Sequence, residues 1–373
     1  MRRFLFVLEY FPPHIGGVEV LFGELAAELV RRGHTVEVIT SADPGDPPQE
    51  VRDGVSVRRI KAPAFARRYL FMLLAIPYAI RAARRADLVH TTTYNAAIPA
   101  WIAARLARKP VVLTAHEVFG SQWHSMPGMN PLLGALYRLF ESFVLRLGWA
   151  HVITPSDFTR RRLPDPSRAT TVYNAVDHAF WDPSRHRARE LPGAFTYLYF
   201  GRPGVSKGVE YLIDAAEIVR RERPDSRLVM ILSREPERQY RRMVRRLAGL
   251  GDHVVLVDSV PRDELPSWLL GADAVVVPSL SEGFGYSAVE AASLGCRVIA
   301  TSGHATEELL AGIAAFVPPR DPAALARAIL EAKPPTARLE PKFTAPAHAQ
   351  RVIEIYRSVL SPESSPPHSA LRT

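Results

Sequence analysis

One cysteine, Cys296, stands in 373 residues. It excludes an internal disulfide and any cysteine-built zinc cluster, and it points to a reducing, cytoplasmic setting. The thiol itself reads as a small buried apolar side chain. Other absences narrow the function. No GxGxxG follows the first strand-like run and no GxxxxGK[ST] occurs anywhere, which weighs against nicotinamide cofactors and nucleoside triphosphates. Neither an Asp-x-Asp pair nor an HExxH is present, so no metal site is expected. The start, MRRFLFVLEYF, lacks a small-residue cleavage site and reads as a strand rather than a signal peptide. Residues 69–80 form a mostly apolar run, interrupted by Pro77 and fenced by arginines. At about 1.5 Å per helical residue it is too short for a hydrocarbon core of roughly 30 Å.

What is present is a globular composition, 47% hydrophobic and 23% charged, in a length that argues for two domains. The net charge of +9 is unevenly spread. Residues 1–190 carry 25 Lys and Arg against 17 Asp and Glu; residues 191–373 carry 22 against 21. A basic half beside a neutral one suits an anionic partner or a solvated basic surface. No recognised nucleic-acid motif accompanies the charge, and no nucleic-acid partner is expected. The segment 67–85 fits a helix lying on an anionic membrane or a buried helix of the first domain.

Short β-branched runs alternate with longer amphipathic stretches throughout, the pattern of parallel sheets covered by helices. Strands are expected at 4–10, 35–40, 55–60, 87–92, 110–115 and 151–156, and again at 196–201, 227–232, 253–257, 273–279 and 297–301. Between the two series, the polar stretch 182–194 reads as a linker. The expected fold is therefore α/β, with two Rossmann-like domains and a cleft between them. Ligands of such sheets bind beyond the carboxyl ends of the strands, where this sequence has His14, Gly16, Gly17, His116, Arg202, Lys207, Glu282 and Gly283.

The densest segment is VVVPSLSEGFGYSAVEAASLGCRVIAT, 275–301. A strand ends at Pro278, a loop carries Glu282 and Gly283-Phe284-Gly285, and a helix begins near Tyr286. Glycines at a helix start let backbone N–H groups approach an anion, and the helix dipole favours phosphate there. Glu282 in the loop and Glu290 one turn into the helix suit neutral hydroxyls, such as those of ribose and a sugar ring.

Glu282 and Glu290, within P-S-x-x-E-G-F-G-x-x-x-x-E-A, resemble the signature of glycosyltransferase family 4, retaining group 1 enzymes of the GT-B fold. EYFPPHIGGVEV (9–20) is similar to the family's first glycine loop, TAHEVFG (114–120) to its histidine segment, and HVITPSDFTRRRL (151–163) to the strand closing its first domain. TVYNAVD (171–177) resembles P-N-G-V-D with Tyr173 and Ala175 replacing Pro and Gly, and FGRPGVSKGVEYLIDA (200–215) resembles G-R-x-x-x-x-K-G. The resemblance implies that Arg202 and Lys207 clamp the donor diphosphate, Glu290 holds ribose hydroxyls and Glu282 holds the transferred sugar. It places Gly16, Gly17, Gly283, Phe284, Gly285 and Tyr286 around the donor, His116 by the anomeric carbon, and His14 and Asn95 with Gly16 and Gly17 on the acceptor side. His116, Glu282, Arg202 and Lys207 form the expected catalytic set. Two departures stand out. SREPER (233–238) replaces a glycine-rich G-x-G-P-E-R, and GHATEE (303–308) replaces G-G-x-x-E.

These readings converge on transfer of a hexose or N-acetylhexosamine from a UDP- or GDP-sugar, without other cofactor or metal, to a glycolipid, lipid-linked glycan or polysaccharide precursor. The alternative is a catalytically silent sugar-nucleotide-binding protein of a glycan-assembly complex. The expected organisation is 1–188 as an acceptor-side domain and 189–346 as a donor-side domain. A helix at 347–360 is expected to return to the first domain, followed by a disordered tail at 361–373. The expected place is the cytoplasm, peripheral on the membrane's cytoplasmic face.

Overall fold

The computed structural model describes residues 1–361 apart from 15, 64–66, 128, 235–236, 334–338 and 340–342. The chain divides into two compact units. Met1–Gly120, Ala135–Ala175 and the chain from Phe343 form the first; Ser121–Gly134 and Val176–Lys342 form the second. The change of unit at Ala175 thus comes earlier than the expected 188. Residues 176–188 hold buried Trp181, and Phe180 lies under the Arg262 guanidinium, 4.9 Å from ring centroid to charge. This aromatic anchor ties a polar-looking stretch to the second unit.

The first unit is built on eight strands: β1 (Arg3–Val7), β2 (Thr35–Ser41), β3 (Gln49–Arg52), β4 (Val55–Ile60), β5 (Leu88–Thr92), β6 (Val111–Thr114), β7 (His151–Thr154) and β8 (Ala169–Thr171). Their order is β3-β4-β2-β1-β5-β6-β7-β8, parallel except where β3 meets β4. Phe4 of β1 pairs with Val36 on one side and Leu88 on the other. Helices cover both faces, so the inner strands are apolar almost continuously. The period of two still sorts the side chains. Leu5 and Val7 join Phe71, Ala75 and Ala100 on one face, while Phe4, Phe6 and Leu8 join Phe22, Leu25 and Tyr356 on the other.

Tyr356 comes from the last described helix, Ala345–Leu360, started by the Thr344 side chain and by a proline in its first turn. Its Val352, Ile353 and Tyr356 belong to the first unit's core, and the Tyr356 hydroxyl bonds His90 Nδ1 at 2.5 Å. The tail expectation falls on residues that, beyond Ser361, lie outside those described. Segment 67–85 forms two helices, Arg67–Leu74 and Ile76–Ala83, with Pro77 in the first turn of the second, where its missing N–H costs nothing. Phe71, Ala75, Ala79, Ala82 and Ala83 are buried, whereas Tyr69, Leu73, Leu74 and Tyr78 are exposed.

The second unit has six parallel strands: β9 (Phe195–Gly201), β10 (Ser226–Leu232), β11 (Val254–Val257), β12 (Ala274–Val277), β13 (Val298–Thr301) and β14 (Ala315–Val317). Their order is β11-β10-β9-β12-β13-β14. The chain winds outward from β9 in one direction and from β12 in the other. The loops leaving these two neighbours therefore part, and a crevice opens at their carboxyl ends. The same reversal occurs in the first unit between β1 and β5. Strands β3, β8 and β14 had no counterpart in the sequence expectations. They have only three or four residues, and β3 is a half-exposed edge.

Candidate active site

In the second unit, Arg202 follows β9 directly, with its carbonyl accepting a hydrogen bond from the Tyr199 hydroxyl at 3.1 Å. The loop then reaches Lys207 and Gly208, which starts the helix Val209–Glu222. Gly208 has φ +61°, and a Cβ there would stand 1.9 Å from the Pro278 carbonyl oxygen. Only glycine lets the loops after β9 and β12 approach this closely. The Leu280 N–H, 2.7 Å from the Ser206 carbonyl, fastens them together.

That fastening brings Lys207 to Glu282. Lys207 Nζ donates to Glu282 Oε1 at 2.7 Å, and Ser279 Oγ donates to the same oxygen at 2.7 Å. Oε2 makes no hydrogen bond among the described residues. Burial opposes ionisation of Glu282, but the Lys207 charge and these hydrogen bonds outweigh it and hold the carboxyl below its ordinary range. The result is an ionised carboxylate in a nearly closed setting, with one oxygen open to a ligand hydroxyl.

Gly283, Phe284 and Gly285 are buried and lead into the helix Tyr286–Ser293. Gly285 has φ +83°, and Thr306 Oγ1 would lie 2.4 Å from a Cβ added there. Phe284 and Tyr286 pack edge to face at 5.0 Å. Glu290, one turn into the helix, is pushed up to about 8 by burial, which the Arg262 charge only partly offsets. The two carboxyls thus differ: at neutral pH Glu282 is ionised and Glu290 largely protonated.

The structure explains one departure noted in the sequence. His304 of GHATEE bonds the Ser279 carbonyl at 3.1 Å and Thr301 Oγ1 at 3.0 Å through Nε2, while its Nδ1 caps the helix Ala305–Leu310. It fixes the loop that carries Glu282. In SREPER, Arg234 pairs with Asp258, and residues 235–236 lie outside those described. Ser279, Thr301 and His304 were missed by sequence reasoning because each acts by holding a loop, and Thr306 because it acts only by the space it leaves at Gly285; only the altered GHATEE motif signalled any of them.

In the first unit, His14, Gly16, Gly17, Asn95 and His116 follow the carboxyl ends of β1, β5 and β6. His14 stacks on Tyr10 at 4.1 Å and 11°, with Nδ1 2.8 Å from Asp43 Oδ2. Gly16 precedes the helix Gly17–Arg31 in an extended conformation; a Cβ there would meet only the end of the Glu19 side chain. Asn95 Nδ2 donates to Glu9 Oε2 at 2.9 Å, and Arg68 bonds the other Glu9 oxygen at 2.5 Å. Glu9, Asp43 and Arg68 therefore belong to the cluster; Glu9 and Asp43 were not singled out from sequence, and Arg68 was read there only as part of the basic fence around residues 69–80. His116 rests edge-on against Phe22. Neither ring nitrogen has a hydrogen-bond partner among the described residues. Burial, with a smaller contribution from His348, pushes it down to about 3. It is a neutral imidazole able to donate or accept one hydrogen bond, but not to carry charge at ordinary pH.

Among the described residues, no three His, Cys, Asp or Glu gather to hold a metal ion. Comparison with known proteins accounts for both halves. Residues 15–180 match the model of Glycosyltransferase Family 4, and residues 194–332 match that of Glycosyl transferases group 1. The chain belongs to the family 4, group 1 glycosyltransferases. It is similar to a D-inositol 3-phosphate glycosyltransferase of Pseudarthrobacter chlorophenolicus, 28% identical over 77% of this chain and 74% of that one. It is also 28% identical to a glycogen synthase of Mycobacterium tuberculosis, over 88% and 85% of the two chains. Among solved structures, sucrose-phosphate synthase from Thermosynechococcus elongatus superposes with TM-score 0.77 at 23% identity, covering 96% and 98%. Anabaena HepE, solved with UDP-glucose, gives 0.74 at 18%, covering 96% and 100%. The fold is GT-B, and the glycosyltransferase is of hexosyltransferase type. Among the described residues no helix is long and apolar enough to cross a membrane.

Proposed function

We propose that this glycosyltransferase moves a hexose or N-acetylhexosamine from a UDP- or GDP-sugar to an acceptor hydroxyl, with retention of anomeric configuration and without a metal ion. The observation that carries the reading is the Lys207–Glu282 pair, 2.7 Å apart, beside a glycine-started helix at the β9–β12 reversal. An ammonium has three donors. Lys207 can thus hold Glu282 and set its charge beside a diphosphate, while Glu282 Oε2 receives a sugar hydroxyl. As the glycosidic C–O bond ionises, Arg202, Lys207 and the N–H groups at the start of Tyr286–Ser293 take up the charge on the departing diphosphate. Glu290 accepts from the ribose hydroxyls. Neutral His116 hydrogen-bonds the sugar without adding positive charge beside the cationic centre. The acceptor hydroxyl then attacks the face that the leaving group vacates and passes its proton to the departing diphosphate oxygen.

The names of the relatives, all of them transferases or synthases of sugars, support this class of reaction, and UDP-glucose in HepE supports the donor class. The surplus of arginine and lysine in residues 1–190 supports an acceptor on a glycolipid or lipid-linked glycan, with the enzyme peripheral on the cytoplasmic face of an anionic membrane. The test is calorimetric titration with UDP, GDP and ADP, followed by proton NMR of the product formed from the donor of the tightest base. Binding of one diphosphate and an anomeric coupling matching the donor are expected. Binding of none of the three, or an inverted product, would overturn the proposal.

A further inference from the structure

The helix Pro131–Leu145 carries Leu132, Leu136, Leu139 and Phe143 on one face, spaced four, three and four residues apart. Their exposures are 79%, 61%, 68% and 57%. The opposite side is fixed: buried Glu141 accepts hydrogen bonds from the Tyr94 hydroxyl and the Phe119 and Gly120 N–H groups, and Val144 is buried in the first unit's core. Nothing in the strand framework needs four large apolar groups turned outward. Such a stripe on an anchored helix marks an interaction surface.

Its surroundings select the partner. Arg138 beside the stripe and Arg146 just past it are exposed, and the helix's one carboxylate, Glu141, is buried. The Tyr137 hydroxyl lies 3.5 Å from that of Tyr69, and Tyr69 opens onto exposed Leu73, Leu74 and Tyr78 of the neighbouring helices, followed by Arg81 and Arg84. The apolar residues are therefore fringed by cations. A second copy of the chain meeting this face would set arginines against arginines, with no carboxylate on the stripe to receive them. An anionic leaflet offers acyl chains to the leucines and phosphates to the guanidinium groups.

We propose that the face formed by Leu132, Leu136, Leu139 and Phe143, continued by Tyr69 and Leu73, inserts into an anionic lipid bilayer. The proposal gives a surface to the membrane reading made above and rests on it for the sign of the lipid charge, but it does not depend on the donor chemistry. Flotation with phosphatidylglycerol–phosphatidylcholine vesicles tests it. The Leu136→Ser/Leu139→Ser/Phe143→Ser variant changes only exposed positions, so its melting temperature and the shift that UDP produces in it should match the parent. Its vesicle affinity should fall at least about tenfold. The parent's binding should weaken but persist in about 0.5 M salt, where charge attraction alone is screened. In the Leu139→Trp variant, the new indole should be quenched by lipids brominated on their acyl chains. Unchanged flotation of the triple variant, or no quenching, would overturn the proposal. So would a parent that sediments as a dimer which the triple variant abolishes, since a second copy would then cover the stripe. A missing UDP shift in parent and variant alike would instead tell against the donor reading and leave the surface standing.

Discussion

Replacing Lys207 by alanine separates its two roles, holding Glu282 and meeting the donor. The ion pair at 2.7 Å has a partner that is nearly buried and a lysine side chain about one-third exposed. Breaking a fully buried pair costs about 3–5 kcal/mol, and exposed pairs are worth about 0–1. A loss of roughly 1–3 kcal/mol in unfolding free energy is therefore expected. Burial then acts on Glu282 with only the Ser279 hydrogen bond and a smaller contribution from His304 opposing it, so its pKa should rise. The Glu282 stability contribution, present above its unfolded pKa in the parent, should vanish at a higher pH in the variant. Removal of one preorganised charge facing the leaving group should lower kcat on the order of 10²-fold. The informative comparison is Lys207→Ala/Glu282→Gln. Neutralising the stranded carboxylate should recover most of the stability but none of the rate. Nucleotide release under steady state, with chemical denaturation alongside, measures both. A single variant within about threefold of the parent's rate, or a double variant whose rate recovers with its stability, would show that Lys207 only supports the loop.

Four further outcomes are expected. Glu290, raised to about 8, makes the fold less stable as pH climbs from its unfolded pKa toward 8; Glu290→Gln should melt higher than the parent at pH 7 and equal it near pH 4, while weakening nucleotide binding at pH 9. His90 and His116 sit at about 3 and His348 at about 4, so unfolding of the first unit should take up close to three protons between roughly pH 6 and pH 4, read as a stability slope approaching about 4 kcal/mol per pH unit. Gly208→Ala should cost roughly 2 kcal/mol or more, measured by denaturant titration, because the residue combines positive φ with a contact on the Pro278 carbonyl. Transfer should continue in excess EDTA; loss of activity restored by magnesium would contradict the role given to Arg202 and Lys207.

Much of the framework was legible because buried parallel strands announce themselves. LFV, VVL and VVV are apolar on both faces, and the loops after them carried most of the residues that now line the two candidate site clusters. What stayed hidden follows from local rules that read one segment at a time. Trp181 stands immediately before the polar stretch 182–194 that reads as a linker, and composition there does not tell that the second unit already begins at Val176. Ser279 and His304 are ordinary polar residues until the fold brings both onto the Glu282 loop. The stripe on Pro131–Leu145 has the same spacing as a core-facing helix, and nothing in the sequence tells which way the leucines point. The edge strand β3 lacks the apolar run by which its neighbours were found.

The return of Ala345–Leu360 into the first unit has a consequence for how the protein is made. Phe4, Phe6 and Leu29 leave the ribosome well before Val352, Ile353 and Tyr356, with which they pack in one cluster. His90 likewise awaits its hydroxyl partner across 266 positions. The second unit, whose six strands all lie between residues 195 and 317, has its sheet complete before Ala345–Leu360 is made. The usual order in which nascent domains mature, amino-terminal first, is therefore reversed. Of the two units, the one whose strands are made first is the one that closes last, and until Ala345–Leu360 emerges it presents an open apolar flank to whatever attends the emerging chain.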